Sequence, residues 1–138
     1  MSFARAVRPA MVLVASCLLA LPARSDGLAD FHAAVEQASA DYRTAMATLE
    51  TQGQQETSAA VTRLRQTWQS INDRFGRDRP AAFADDEQYA SMFMLVDTRL
   101  IGVLLTIDMG NRNAAREGLA PVEETLSRLS VRSAPPEQ

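Results

Sequence analysis

Apolar and small side chains recur at alternating spacings of three and four residues in four segments of this chain. Such a spacing averages close to one α-helical turn and therefore places these side chains along one side of a helix. The segments cover residues 28–51, 57–75, 85–109 and 112–131. Each segment predicts an amphipathic helix. The predicted buried seams are Leu28, Phe31, Val35, Ala38, Tyr42, Ala45 and Leu49; Val61, Leu64, Trp68, Ile71 and Phe75; Tyr89, Phe93, Val96, Leu100, Val103 and Ile107; and Ala115, Leu119, Val122, Leu126 and Leu129.

Residues that favour helix ends lie between these segments. Gly53 and the polar residues around it end the first segment, and Gly76 stands where a left-handed residue would end the second. The acidic run 85–87 suits the start of the third helix through capping and the helix dipole, and Asn111 or Asn113 can cap the fourth. These signals predict four helices joined by short loops.

A proline lies inside the fourth segment. Pro121 removes one backbone hydrogen bond and its ring clashes with the preceding turn. We therefore expect a kink there, or a break near Gly118.

No part of the chain shows the two-residue alternation of a β-strand. Long helices with short connections pack most simply as antiparallel neighbours. We predict an all-α fold, an antiparallel up-down-up-down four-helix bundle that follows a cleaved signal peptide. The expected organisation is a signal peptide at 1–25, the bundle at 26–132 and a flexible tail at 133–138.

The N-terminus has the three parts of a secretory signal peptide. Arg5 and Arg8 precede an apolar run at 10–21, and small residues precede a cleavage position after Ser25. The run is too short to cross a hydrocarbon core, which takes about 20 helical residues. We expect export to the periplasm, with lipidation of Cys17 as the minor alternative.

Composition excludes several kinds of chemistry. The chain has one cysteine, one histidine and no lysine, and the cysteine lies in the expected signal peptide. An exported chain of this composition has no thiol nucleophile, disulfide or Schiff-base lysine, and no motif in it indicates an enzyme. Loss of residues 1–25 leaves 11 arginines against 17 acids, a net charge of −6. That charge argues against nucleic acid or an anionic membrane surface as partner.

The third helix is apolar nearly all round. Besides its seam it carries Met92, Met94, Leu95, Ile101, Leu104 and Leu105. Such a helix is either the most buried of a bundle, which is the usual explanation, or contributes an intermolecular face. The second case predicts a protein partner, or a homodimer through this helix. The charged side chains of Asp97, Arg99 and Asp108 oppose a transmembrane span in the mature chain.

If the four helices are antiparallel, most aromatic side chains of this chain lie at one end of the bundle. Five of these residues could line a pocket for a small apolar ligand: Phe31, Trp68, Phe75, Tyr89 and Phe93. The alternative is that these rings simply fill a wider core, as stripes of aromatic residues usually do.

His32 lies at the same end, one residue from the seam. Glu36 follows it by one helical turn and could form a surface pair with it or share a metal ion. Met92 and Met94 resemble the Met-x-Met of exported copper-handling proteins, and thioethers suit Cu(I). On a helix these two sulfurs point about 200° apart, so they can share one ion only if the helix start unwinds.

The helix count and the export signal resemble the periplasmic four-helix-bundle cytochromes, the cytochrome c′ and cytochrome b types, although no sequence motif is shared. The resemblance implies haem held non-covalently between a Met near the start of helix 1 and a His near the end of helix 4. This chain departs from that pattern, so a rearranged pair, His32 on helix 1 and Met92 on helix 3, would have to supply the axial ligands. The primary interpretation is a non-enzymatic exported binding or accessory protein without a cofactor. The alternative is a metal- or haem-binding bundle.

Overall fold

The computed structural model describes residues 27–136. The expected signal peptide, with Cys17, and residues 137–138 lie outside the described residues. Within 27–136 the chain forms four α-helices and one short 3-10 helix. They are α1 (Leu28–Thr51), α2 (Gln54–Phe75), the 3-10 helix (Ala81–Phe83), α3 (Tyr89–Asp108) and α4 (Arg112–Ser133).

The predicted all-α four-helix bundle is confirmed. Each helix packs against the next one in the chain, and α1 packs against α4, so that the four helices close a square. Their alternating direction is visible in the ring contacts. Phe31 at the start of α1 contacts both Phe75 at the end of α2 and Tyr89 at the start of α3.

The seams form the core of the bundle. Every predicted seam residue is buried except Leu28, which is half-buried where α1 begins. Phe83 and Met92 join the same cluster from outside the predicted seams. Burial of one apolar side per helix is the dominant favourable term in a fold of this kind.

The first connection is shorter than the sequence predicts. Helix α2 begins at Gln54, so only Gln52 and Gly53 separate it from α1. The buried Thr57 hydroxyl donates to the Gly53 carbonyl at 2.8 Å and lies 3.2 Å from the Thr48 carbonyl. This side chain thereby satisfies backbone acceptors on both sides of the turn.

Helix α2 ends at Phe75 as predicted, but the expected conformation of Gly76 and the expected start of α3 are wrong. Gly76 is not left-handed: its φ is −63°, and its N–H donates to the Asn72 carbonyl at 2.8 Å, which continues the pattern of α2. Helix α3 begins at Tyr89 rather than at the acidic run, because the chain first folds Phe83 into the core through the 3-10 helix. Asn111 does cap α4, accepting from the Ala114 N–H at 3.0 Å.

Of the two outcomes expected from Pro121, a kink or a break near Gly118, the break is wrong, since the helix is continuous from Arg112 to Ser133 with Pro121 inside it. Pro121 deprives the Glu117 carbonyl of its helical donor, and Glu117 lies on the exposed side, where water can reach that carbonyl. Gly118 instead allows two helices to pack closely. A Cβ atom built there would lie 2.7 Å from Val103 Cγ2, so only glycine allows this approach of α4 to α3.

Substitution of Gly118 by alanine should destabilise the bundle. Overpacking against the buried, β-branched Val103 costs about 1–3 kcal/mol, against a gain of about 1 kcal/mol in helix propensity, for a net loss of roughly 1 kcal/mol. Gly102→Ala is the matched control, because a Cβ at Gly102 meets nothing within 4 Å. It should stabilise α3 by up to about 1 kcal/mol.

Urea unfolding followed by the fluorescence of the single tryptophan, Trp68, measures both variants at submicromolar protein. An equal gain in stability for Gly118→Ala and Gly102→Ala would contradict the close contact of α3 with α4.

Candidate functional site

Aromatic rings close one end of the bundle. Phe31 is the centre of the cluster: its ring centroid lies 5.3 Å from Phe75, 5.2 Å from Phe83 and 6.4 Å from Tyr89. Phe93 continues the cluster, 5.3 Å from Tyr89. These edge and tilted contacts are the arrangements that aromatic side chains prefer in protein cores.

The two polar atoms among these rings are hydrogen-bonded. The Tyr89 hydroxyl donates to the Phe75 carbonyl at 2.7 Å, and Trp68 Nε1 donates to the Phe93 carbonyl at 3.0 Å. Burial raises the pKa of Tyr89 to about 12, although the nearby Arg79 guanidinium opposes that shift. Each of these bonds ties a ring of one helix to the backbone of another.

The structure brings the five predicted pocket residues together as packed neighbours. Each is at most 6% exposed. None of them lines either of the two clefts described below. In this conformation their arrangement is that of a filled core.

Arginines hold the loop between α2 and α3 over the aromatic end. The Asp86 carboxylate, 8% exposed, pairs with Arg128 at 3.1 Å and Arg132 at 3.2 Å, both from α4. Arg132 also donates to the Ala82 carbonyl at 2.7 Å and covers the Phe83 ring at 4.6 Å. The loop is thus joined to α4 by charge-assisted hydrogen bonds and a cation–π contact.

The pKa of Asp86 is below its usual value. Burial by itself would raise it, but the Gln88 N–H, which donates to Asp86 Oδ1 at 2.9 Å, and the two arginines favour the charged form more strongly. The carboxylate therefore contributes to stability only while it is ionised.

The structure places His32 between α1 and α4. Its Nδ1 lies 2.9 Å from Ser133 Oγ, and its Nε2 lies 3.8 Å from Glu36 Oε1. The Ser133 hydroxyl donates to the Leu129 carbonyl at 2.7 Å, so His32 Nδ1 is the donor to Ser133. Glu36 also accepts from Ser130.

This histidine–serine–glutamate group lacks the features of a nucleophilic site. Ser133 is only 2% exposed, and its proton is already given to a backbone carbonyl. An activated serine instead donates to the histidine that will accept its proton. The observed bonds join the start of α1 to the last turn of α4.

The two methionines considered for copper lie on different sides of α3. Met92 is buried, with its sulfur 3.7 Å from an Arg128 nitrogen, whereas Met94 is 66% exposed. The structure gives His32 and Met92 separate partners. Within residues 27–136 no three His, Cys, Asp or Glu side chains are grouped so that they could hold a metal ion.

Two clefts on the surface of the described residues involve α1. An open groove of about 1240 Å³ follows α1 and α2, and its lining includes Gln37 and Thr67, both of which donate to the buried Asp41. A smaller cleft of about 230 Å³ lies between α1 and α4, where the Tyr42 hydroxyl donates to Glu123 at 3.2 Å. Burial, with the charge of Glu123 and this hydrogen bond, raises the pKa of Tyr42 to about 12. These side chains have partners within the protein.

The most unusual surface feature lies on α3, on the side turned away from the bundle. We define the outer face of α3 as Met94, Leu95, Thr98, Ile101, Gly102, Leu105 and the following Met109. Its large apolar side chains are exposed and follow one another along the whole helix. Their exposed fractions are 66% for Met94, 63% for Leu95, 40% for Ile101, 59% for Leu105 and 74% for Met109.

The outer face of α3 carries no charged side chain. On one flank Asp97 forms a two-point pair with Arg65 of α2, at 2.7 and 3.2 Å. By length and composition alone, α3 is the one helix within residues 27–136 that could cross a membrane. In the bundle its opposite side is buried against α2 and α4.

Sequence reasoning located the aromatic end but missed several residues that organise it. Ser133, which is bonded to His32, and the two arginines that pair with Asp86 come from α4, far along the chain, and no spacing rule links such positions. The exposed side of α3 was one of two open alternatives, since an apolar pattern around a helix does not reveal how many neighbours the helix has.

Comparison with protein-family models, curated proteins and solved structures yields no match to this chain.

Substitution of Asp86 by asparagine should destabilise the protein by about 1–3 kcal/mol at neutral pH, because it removes hydrogen bonds to a charged group that is largely buried. The exposed neighbour Asp85→Asn is the control and should change stability by less than about 0.5 kcal/mol. Thermal or urea unfolding measures both.

The loss caused by Asp86→Asn should depend on pH in a defined direction. A carboxyl whose folded pKa is lowered contributes stability above its unfolded pKa of about 3.9, and loses that contribution as the pH falls through the folded pKa. The difference between the wild type and Asp86→Asn should therefore shrink in acid. A difference that stays constant down to pH 2 would contradict the assigned ion pair.

Proposed function

We propose that this protein is an exported, non-enzymatic binding protein that docks another protein chain through the outer face of α3. The observation that carries the proposal is the continuous, uncharged apolar surface from Met94 to Met109. A bundle whose only task was to fold would gain solubility from polar residues at these positions.

The size of the surface supports a docking role. With roughly 200 Å² for each fully exposed residue of this size, the five large apolar residues leave on the order of 600 Å² open to water, at the upper limit for the largest apolar patch of a typical monomer. Patches of that kind are used for protein partners or for membranes.

Charge favours a protein over a membrane as the partner. The exported chain carries a net charge of −6, and the flanks of the outer face carry Asp97 and Asp108 as well as Arg99. Helices that lie on membranes usually carry basic residues beside the apolar face. An uncharged apolar stripe along a helix instead fits another apolar helix laid along it.

The packing of the aromatic end favours the outer face of α3 as the binding site over a pocket among the rings. Its rings pack against one another, so a small apolar ligand would first have to separate rings that are in contact, such as Phe31 and Phe83. Haem or copper at His32 and Met92 remains the alternative function. No contact specifically favours it, because His32 is bonded to Ser133 and Met92 lies against Arg128.

Site-specific photo-crosslinking in the cells that produce the protein tests the proposal. A photoreactive amino acid replaces Met94 or Leu105 on the outer face, or Val131 on α4 as the control. Val131 is apolar and 77% exposed but lies outside this face. We expect discrete protein adducts from positions 94 and 105 and none from position 131.

The absence of adducts from positions 94 and 105, or the same adducts from position 131, would contradict the proposal. The captured chain also reports on export. Cleavage after Ser25 predicts that its first residue is Asp26, whereas an N-terminus at an acylated Cys17 would indicate the lipoprotein alternative.

A further inference from the structure

We infer that the partner docked on the outer face of α3 is a second copy of this chain, bound antiparallel about a two-fold axis that passes between Ile101 and Gly102. This inference rests on the proposed function and specifies its partner. A two-fold interface uses one self-complementary patch twice, so the patch itself must show the required fit.

The shape of the face fits such a pairing. An axis between Ile101 and Gly102 puts Leu105 of one copy level with Thr98 of the other, so that a large side chain meets a small one. Gly102 lies next to the axis, and the space where its Cβ would be is empty to 4 Å. Small residues at a crossing point allow two helices to approach closely, and the long, flexible Met94 and Met109 can adapt to each other at both ends.

The helix dipoles select the antiparallel orientation. Two antiparallel helices laid side by side bring the positive end of each dipole next to the negative end of the other, whereas a parallel pair brings like ends together.

The area is sufficient for a specific dimer. Two patches of about 600 Å² bury roughly 1,200 Å² of surface, the lower end of the range for stable protein interfaces. The patch bears no charge, which suits self-association, because a charge near a two-fold axis would face its own copy.

Sedimentation of the full chain from 1 to 100 µM measures the association. We expect a monomer–dimer equilibrium that Ile101→Glu weakens by more than about tenfold, the effect of a residue central to an interface. Leu105→Glu serves as the second variant, and Val131→Glu is the control, since it adds the same charge at an exposed position away from α3. Circular dichroism checks that each variant folds.

Single cysteines report the orientation, in a Cys17→Ser background so that no other thiol is present. Gly102→Cys lies next to the axis and should form a disulfide-linked dimer on oxidation. Met94→Cys is separated from its counterpart by about 22 Å along an antiparallel pair at 1.5 Å per residue, beyond the limit of about 7 Å between Cα atoms. It should stay monomeric.

Each outcome has a distinct meaning. A chain that is monomeric at 100 µM overturns the second copy as the partner but leaves the proposed function, whose photo-adducts would then contain a different protein. A dimer that Ile101→Glu and Leu105→Glu leave intact places the interface elsewhere and overturns this inference. Efficient crosslinking of Met94→Cys to itself overturns the antiparallel arrangement.

Discussion

The structure depends on one mismatch: α3 is apolar on nearly all sides, but a helix in a four-helix bundle can bury only the side that faces its neighbours. Helices α2 and α4 cover the seam of α3, and the close contact at Gly118 brings α4 against Val103. The opposite side has no neighbour within the described chain, so Leu95 and Leu105 meet solvent. We propose that the protein acts through what covers this side in the cell.

Contacts between neighbouring elements close the rest of the bundle. Aromatic rings fill one end, and the loop after α2 is held over them by the pairing of Asp86 with Arg128 and Arg132. His32 is used in the same way, since its bond to Ser133 joins the first and last helices. Polar residues that the sequence suggests as candidates for chemistry, such as His32, thus form bonds that hold elements of the fold together. The surface without a neighbour in the described chain is the apolar outer face of α3.

The fold was largely predictable because helical periodicity reports which side of each helix is buried. Every residue of the four predicted seams is in the core except Leu28, which is half-buried where α1 begins. It failed where the outcome depends on packing: a break near Gly118 was one of the two outcomes expected from Pro121, but α4 is continuous and this glycine makes a close helix contact. The candidate site was less predictable, since Ser133 is 101 residues from His32.

We propose that the outer face of α3 is covered by a protein chain in the native setting. Peroxide oxidation of methionines, quantified by mass spectrometry, is the decisive measurement, because Met94 and Met109 are exposed in the isolated chain and Met92 is a buried internal reference. Oxidation of Met94 and Met109 should be several-fold slower in intact cells than in dilute purified protein, relative to Met92. Equal relative rates in the two settings would contradict the claim.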